Sequence, residues 1–457
     1  MNKKLLSFFA VLFAFVTAHA TDYFVAELSG TTLTFKKTTT PPDETTSWDA
    51  TNTGNTDPGW LNSTVTSIVI EPSFYEARPT SCHAWFKNFT TISGISGLTY
   101  LNTSLVTDTG YMFYGCNGLT LLDLSSCDFT HLTQVEGMFT ECRNLHTIFV
   151  AEGLGDFSYL GNSQWPFLYN YALTGGAGCY YQDRFPGAVC ARIDDGRTGM
   201  AYFSAAITLA NTSDNTSTIS NYDEKKVKAT LADRTLYKDN SWNTICLPFD
   251  VDLTETNSPL YGATVKELDT EAGTYDHVTG FENGTLYLNF KDVTSTMTAG
   301  TPYIIKWASG DDLVNPAFLP VNIDNTTNDV TSNDGKVTFT GTYFPVSITS
   351  EGDNTKLYLS ASNKLYYPNG NMTIGCQRAY FQLNGITAGD VATSRIVLNF
   401  DGESTDIVEV EENASHQTLH SSLSGWYTLD GRKLNAEPTE KGLYLKQGRK
   451  VYVGVKR

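Results

Sequence analysis

The sequence predicts a mainly β protein with three parts: a short solenoid of repeats, an antiparallel β-sandwich and a small C-terminal β segment. Two observations point to the first two parts. A pattern of apolar residues returns after 26 residues in the first half of the chain, and short alternating runs separated by Gly and Asn turns follow it. The composition agrees with an all-β extracellular protein, because the chain is rich in Thr, Asn, Gly and Tyr and only 18% of its residues are charged.

Residues 1–20 have the features of a secretory signal peptide. They carry two lysines near the start, continue with an apolar run over residues 5–16 and end with the small-residue sequence AHA. The apolar run is shorter than the ~20 residues that a membrane-spanning helix needs. We therefore expect an exported protein, secreted or held at the outer-membrane surface, with no transmembrane segment in the mature chain.

The repeat is clearest in two segments, MFYGCNGLTLLDL at 112–124 and MFTECRNLHTIFV at 138–150. A third, diverged copy, WFKNFTTISGI, lies upstream. Each copy has apolar residues at helical spacing and then alternating ones, so we predict a short helix and a strand per copy. Leu-x-x-Leu-x-Leu is the pattern of a leucine-rich repeat, in which stacked copies bury a common core. The predicted core residues are Phe86, Phe113, Leu119, Leu122, Leu124, Phe139, Leu145, Ile148 and Val150.

The alternation also predicts which residues of the repeat strands face outward. Side chains between the inward ones point to the opposite face of a strand. Leu121 and Asp123 of one strand, and Thr147 and Phe149 of the next, are therefore predicted to face a ligand. Leu121 and Phe149 are apolar, which indicates either an element that covers them or a contact patch for a protein partner.

Changes of pattern set the predicted domain boundaries. The repeat domain with its caps covers 21–205, with strand-like segments TTLTFKK and VTSIVIE in the N-terminal cap. The antiparallel β-sandwich covers 206–400, an acidic linker 401–420 and the C-terminal β segment 421–457. The last segment has eight Lys/Arg and three Asp/Glu, a charge of +5, so the rest of the chain is near −23 out of the total of −18. This acidic body argues against nucleic acid and anionic membranes as partners.

Eight cysteines in an exported chain can form disulfides. Cys116 and Cys142 occupy the same position in consecutive copies, and there we favour a ladder of buried thiols, since buried thiols pack as small hydrophobes. Cys179 and Cys190 flank a loop and are the better candidates for a disulfide.

The stretch from residue 101 to residue 150 resembles the BspA-type leucine-rich repeats of bacterial surface proteins. Thr109 and Cys127 depart from that family's repeat unit. The segment with Cys179 and Cys190 also looks like the family's closing segment; both cysteines are departures from it, which strengthens their predicted pairing. The matching residues are Asn102, Thr103, Ser104, Val106, Thr107, Met112, Phe113, Cys116, Leu119, Leu122 and Leu124.

The BspA-type resemblance implies a cell-surface role. Family members are described as surface proteins, some of them adhesins, so a host matrix protein or a bacterial surface protein is the implied partner. The resemblance does not specify a ligand, because the matching residues are core positions.

The C-terminal segment is similar, more weakly, to the sorting segments of proteins that Gram-negative bacteria export by type IX secretion. The similarity lies in YTLDGRK at 427–433 and KGLY at 441–444. A small terminal β-domain without a sorting role is the alternative.

The sequence carries no motif for catalysis or for cofactor binding. HExxH, GxSxG, the P-loop and a GxGxxG after a strand are all missing. His83, His131 and His146 fit no metal-binding spacing. The Asp194-Asp195-Gly196 sequence is oxygen-rich, but turn formation explains it better than calcium binding. We therefore expect no catalytic residues, no metal and no enzyme.

Three functions remain open from the sequence. The first is a surface adhesin or protein-binding module that uses the repeats, and the second is an envelope spacer without a dedicated ligand. The third is a glycan-binding or glycan-acting protein that uses the aromatic-rich sandwich. Exposed aromatic platforms would favour a glycan ligand, whereas aromatic residues buried in the sandwich favour a scaffold.

Overall fold

The chain is mainly β, as predicted, and contains several sheets in the computed structural model. The structure describes residues 21–400 except 52, 62, 184–185, 197–198, 274, 350–352, 361–362, 369, 388–389 and 391–395, and beyond them only the backbone of strand segments. The predicted signal peptide, 1–20, and most of the predicted linker lie outside the described residues. The chain divides into two compact units, Met1–Ser204 and Ala205–Arg457.

The first unit begins with a sheet of strands in the order β3-β1-β2-β4. The predicted strand segments TTLTFKK and VTSIVIE correspond to β2 and β4, which pair in parallel. Short 3-10 helices occupy Pro72–Glu76, Leu98–Tyr100, Ser158–Leu160 and Ala188–Cys190. The strands of this unit are β1 (Tyr23–Ser29), β2 (Thr32–Thr38), β3 (Ser47–Asp49), β4 (Ser67–Ile70), β5 (Leu121–Asp123) and β6 (Thr147–Ala151).

Backbone hydrogen bonds join the copies that the sequence pattern identified. The N–H of Phe86 donates to the carbonyl of Met112 (2.9 Å), and the N–H of Phe113 donates to the carbonyl of Met138 (2.9 Å). The strands of two copies also pair in parallel, with Leu122 opposite Ile148. Consecutive copies therefore lie directly against one another.

A further layer follows the last copy that the sequence revealed. The N–H of Phe139 donates to the carbonyl of Pro166 (2.8 Å), and the ring of Phe167 stacks on that of Phe139 with centroids 5.6 Å apart. The apolar periodicity of the sequence is weak around Phe167, so the sequence alone does not reveal this layer.

A column of phenylalanine rings runs through the layers. The ring centroids of Phe86 and Phe113 lie 5.4 Å apart, and those of Phe113 and Phe139 lie 5.8 Å apart in nearly parallel planes. Phe35 packs edge-on against Phe86 at one end, and Phe203 packs against Phe167 at the other. All nine predicted core residues are buried: Phe86, Phe113, Leu119, Leu122, Leu124, Phe139, Leu145, Ile148 and Val150.

The predicted short helix of each copy is wrong, because consecutive turns take its place. Tyr111 and Gly115 in one copy, and Gly137 and Glu141 in the next, have positive φ, which interrupts a right-handed helix. Backbone N–H groups alternate between two kinds of acceptor. The N–H of Met112 donates to the carbonyl of Thr109 within its own turn, whereas the N–H of Phe113 donates to the carbonyl of Met138 in the next copy. The apolar spacing resembles that of a helix because each series of turns also points one face inward.

The second unit contains two larger sheets. Strands in the order β10-β16-β12-β14-β26-β27 form one, with β13 beside β14, and strands in the order β19-β20-β25-β22-β23 form the other. The ring of Phe290 packs edge-on against Phe339 and Phe381 of the second sheet, with centroids 6.2 and 6.4 Å away. This packing is sandwich-like. The elements up to β16 are β7 (Ser204–Ala210), α1 (Thr216–Asn221), β8 (Lys226–Ala232), β9 (Thr235–Leu236), β10 (Asn243–Cys246), β11 (Val251–Asp252), β12 (Thr264–Leu268), β13 (Gly280–Glu282), β14 (Thr285–Asp292), β15 (Thr296–Met297) and β16 (Pro302–Lys306).

The sequence predicts an antiparallel sandwich, but the strand pairing in this unit is not purely antiparallel. β7 pairs with β8, and β14 with β26, in parallel. The remaining strands are β17 (Leu313–Val314), β18 (Ala317–Asn322), β19 (Val330–Thr331), β20 (Val337–Thr342), β21 (Val346–Ile348), β22 (Lys356–Leu359), β23 (Leu365–Tyr366), β24 (Met372–Ile374), β25 (Arg378–Leu383), β26 (Ile396–Asn399) and β27 (Ser404–Val408).

Strand segments within residues 421–457 form a small sheet in the order β29-β28-β30-β31. Its pairs are antiparallel. Among the described residues, no helix has the length and apolar character to cross a membrane. The strands are β28 (Trp426–Tyr427), β29 (Lys433–Leu434), β30 (Gly442–Lys446) and β31 (Arg449–Val453).

Candidate functional site

The four predicted ligand-facing residues do not form an exposed patch. Leu121 and Asp123 are half-buried, but Thr147 is only 4% exposed and Phe149 is fully buried. Every residue of β6 from Thr147 to Val150 is buried, so both faces of this strand are covered. The prediction of outward exposure is therefore wrong for Thr147 and Phe149. Alternation fixes which face a side chain points to, but it does not determine whether that face is open to solvent.

Cys179 and Cys190, the predicted disulfide pair, both carry free thiols in this structure. The sulfur of Cys179 lies 3.3 Å from the sulfur of Met200. Cys190 is 2% exposed, and burial, with a smaller contribution from Cys179, raises the pKa of its thiol to about 11.

The predicted ladder of buried thiols is confirmed at Cys116 and Cys142. Both are fully buried, and each sulfur donates a hydrogen bond to a carbonyl of the preceding copy, Phe86 (3.0 Å) and Phe113 (2.9 Å) respectively. Burial raises the pKa of Cys142 to about 12 and that of Cys116 well above its ordinary value. These thiols help to hold adjacent layers together and are protonated at neutral pH.

Thiol titration distinguishes these states. At pH 8 the folded chain is expected to react with a small aromatic disulfide reagent at about one position, Cys179, since the thiolate is the reactive form and the other seven cysteines are buried. In denaturant without reductant all eight thiols are expected to react. A value of six, which is eight minus the two that a disulfide consumes, together with no reaction in the folded chain, would show a disulfide that includes Cys179.

Asp194, from the oxygen-rich segment, binds backbone N–H groups, including that of Gly196 in the same segment (3.3 Å). Its carboxylate is buried and accepts hydrogen bonds from the N–H groups of Ala177 (3.0 Å) and Cys179 (2.8 Å). No group of three or more His, Cys, Asp or Glu side chains is placed to hold a metal ion in the part of the chain that the structure describes.

Exposed aromatic side chains lie along one edge of the stacked copies. Tyr169 is 43% exposed and Tyr171 is 56% exposed, and their ring centroids lie 6.3 Å apart. Tyr111 and Tyr114, both half-buried, lie on an earlier layer with centroids 5.8 Å apart. We call these four tyrosines, together with Arg143, the aromatic edge.

The layers place Arg143 between the two pairs of tyrosines. The N–H of Gly115 donates to the carbonyl of Thr140 (2.9 Å), so the segment with Tyr114 lies beside the segment that leads to Arg143. The N–H of Glu141 donates in turn to the carbonyl of Leu168 (2.9 Å), next to Tyr169. The guanidinium of Arg143 accordingly interacts electrostatically with both Tyr114 and Tyr171.

The carboxylate of Glu141 fixes the orientation of the Arg143 side chain. Its Nε and Nη2 atoms donate to Oε2 of Glu141 at 2.8 and 2.6 Å, and this pairing raises the pKa of the guanidinium. The side chain of Arg143 nevertheless remains 57% exposed. The remaining N–H groups and the flat face of the guanidinium are therefore available for a ligand.

Turn geometry creates the aromatic edge. Tyr111 and Tyr169 both have positive φ, at 55° and 64°. Neither ring belongs to the apolar column, which Phe113 and Phe167 enter two residues away along the chain. The ring of Tyr111 lies over Gly137 of the next layer, where a Cβ atom would come within 2.7 Å of the ring.

Aromatic residues of the second unit are mostly buried, in contrast to those of this edge. Phe290, Phe339 and Phe381 lie in its core, and the exposed large aromatic residues there are Tyr261 and Phe344 among the described residues. This distribution weakens the hypothesis of a glycan platform on the sandwich. It places the exposed aromatic surface on the stacked copies instead.

The aromatic edge was not among the sequence predictions. The sequence does carry a signal, because a tyrosine or arginine falls at the turn positions of successive copies, but that signal emerges only when the fourth layer is aligned.

Comparisons with known proteins add no relative: no family model matches the chain, and no curated protein or solved structure shows significant similarity.

Proposed function

We propose that this chain is an exported bacterial cell-surface protein, with a BspA-type leucine-rich-repeat solenoid that binds a protein partner through the aromatic edge. The signal-like residues 1–20 and the BspA-type pattern of residues 101–150 support the export and the surface role. The partner class is a host matrix protein or a bacterial surface protein. The C-terminal segment serves in outer-membrane sorting by type IX secretion.

The aromatic edge is the observation that carries the proposal. Tyr and Arg are enriched among the residues that dominate binding energy in protein interfaces. Tyr offers a large, rigid ring with a polar tip, and Arg offers a planar set of hydrogen-bond donors. Here both residue types alternate across consecutive layers, with Arg143 oriented in advance by Glu141. A side chain that is already held in place loses less conformational entropy on binding.

A protein partner fits this edge better than a glycan does. Arg143 and Glu141 add opposite charges between the rings, and complementary charges give specificity toward the mixed surface of a protein. Exposed tyrosines also support sugar stacking, so glycans are the second ligand class to test. If the protein is instead an envelope spacer without a ligand, it will bind none of the proteins and glycans that are tested.

The test is binding of the mature chain to a panel of host matrix proteins, bacterial surface proteins and glycans. Changing both Tyr169 and Tyr171 to Ser is expected to weaken binding to a protein ligand at least tenfold, since a truncated hot-spot residue typically costs about 2 kcal/mol or more. The melting temperature is expected to stay nearly constant, because both side chains are largely exposed.

The matched control is the double change of Tyr261 and Phe344 to Ser. These aromatic residues are 51% and 50% exposed, similar to Tyr169 and Tyr171, but lie in the second unit. Binding should be retained by this control. Equal loss in both double variants would place the binding surface elsewhere, and binding of glycans alone would favour the second ligand class.

A further inference from the structure

Two arginines in the second unit are withdrawn from solvent, Arg234 completely and Arg378 in part. Arg234 is 1% exposed; its Nη2 donates to the carbonyl of Thr244 (2.7 Å), but its buried Nε has no hydrogen-bond partner. Arg378 is half-buried, and its Nε donates to Oδ1 of Asn211 (3.3 Å). Such polar groups are normally paired when they are removed from water.

The fold brings both arginines to the same end of neighbouring strands. Asn211, which binds Arg378, directly follows β7, and its N–H donates to the carbonyl of Ala232 (2.9 Å) at the end of β8, two residues before Arg234. Thr244 of β10 provides a second link. Its carbonyl accepts from Arg234, and its hydroxyl accepts from the N–H of Ala379 (3.2 Å), the residue after Arg378.

Neither guanidinium has a carboxylate partner among the residues that the structure describes. The nearby carboxylates of Asp239 and Asp312 accept hydrogen bonds from the backbone of Ser241 and Lys238, and their charges act on Tyr237. Burial lowers the pKa of Arg378 to about 10, and burial together with the charge of Arg378 lowers the pKa of Arg234. Two like charges therefore lie close together in a poorly solvated place.

We propose that Arg234 and Arg378 bind a small oxyanion of the phosphate or sulfate class. Guanidinium groups present N–H donors in a planar fork that matches the oxygen atoms of such anions. An anion there would accept a bond from the unpartnered Nε of Arg234 and offset the repulsion between the two cations. Arg378 and Tyr237 are only half-buried, so this end of the strands is partly open to solvent.

The test is calorimetric titration of the mature chain with inorganic phosphate, and separately with sulfate, at constant ionic strength in chloride. Saturable binding is expected, together with a rise in melting temperature that follows the same curve. At about ten times the dissociation constant, the folding equilibrium constant should rise about elevenfold. No saturable heat and no saturable thermal shift for either anion would overturn the proposal.

Variants locate the site. Arg378→Met and Arg234→Met are each expected to weaken phosphate binding at least tenfold. Lys336→Met is the control, because it removes the same charge from a half-buried position before β20, whereas Arg378 lies opposite Thr342 at the far end of that strand. Unchanged affinity in Arg378→Met would refute the proposal; this variant decides the question even if Arg234→Met does not fold.

Discussion

Replacing Phe149 with serine is expected to lower the free energy of unfolding by roughly 3–5 kcal/mol, the range for truncating a buried aromatic ring. Phe149 is fully buried in β6, and its carbonyl accepts the N–H of Leu124 (2.8 Å) from the preceding copy. A serine there leaves a cavity and places a hydroxyl in an apolar environment. Urea unfolding of the purified mature chain measures the effect.

Tyr171→Ser is the control for Phe149→Ser, since it removes a similar ring from a position that is 56% exposed. Its effect should stay within about 0.5 kcal/mol, the usual range for surface positions. A comparably small effect for Phe149→Ser would show that the outer face of β6 is open, and it would restore the ligand-facing patch that the sequence predicts.

Leu122→Ala is expected to cost about 2–5 kcal/mol, because Leu122 is 2% exposed and lies within a packed layer. Its neighbour in the same strand offers a matched control. Leu121 is half-buried, and truncating it to Ala should cost distinctly less. Equal losses for Leu121→Ala and Leu122→Ala in urea unfolding would contradict the assignment of inward and outward positions.

Much of the fold could be predicted from the sequence because its signals are local and repeated. The positional match between Phe113 and Phe139, and between Leu122 and Ile148, indicated the stacked core, since each copy can bury its apolar face only against a neighbour. Alternating runs of the second half likewise correspond to strands, for example GKVTFTGTYF to β20 and RAYFQL to β25.

The sequence could not reveal the turns that replace the predicted helices. A series of turns and a short helix both place every third or fourth residue inward, so the apolar spacing is the same for both. The difference lies in backbone conformation at residues such as Tyr111 and Glu141, which adopt positive φ although they are not glycine. Residue type gives little indication of this conformation outside Gly, Asn and Asp.

The sequence could not predict the candidate site for a related reason. Whether an outward position is exposed depends on what packs over it, which is a tertiary property; Phe149 is covered and Tyr171 is not. The proximity of Arg143 to Tyr171 likewise depends on the layer that contains Phe167. The apolar periodicity of that layer is too weak for the sequence alone to reveal it.

The most direct test of the proposed function is a hydrogen-exchange footprint of a protein ligand identified from the panel. Exchange of the mature chain is measured with and without that ligand. We predict slower exchange in the ligand-bound state at residues 110–115, 140–143 and 167–171, the segments that carry the aromatic edge. Protection confined to residues 206–400, with these three segments unchanged, would contradict the proposal that the stacked copies bind the partner.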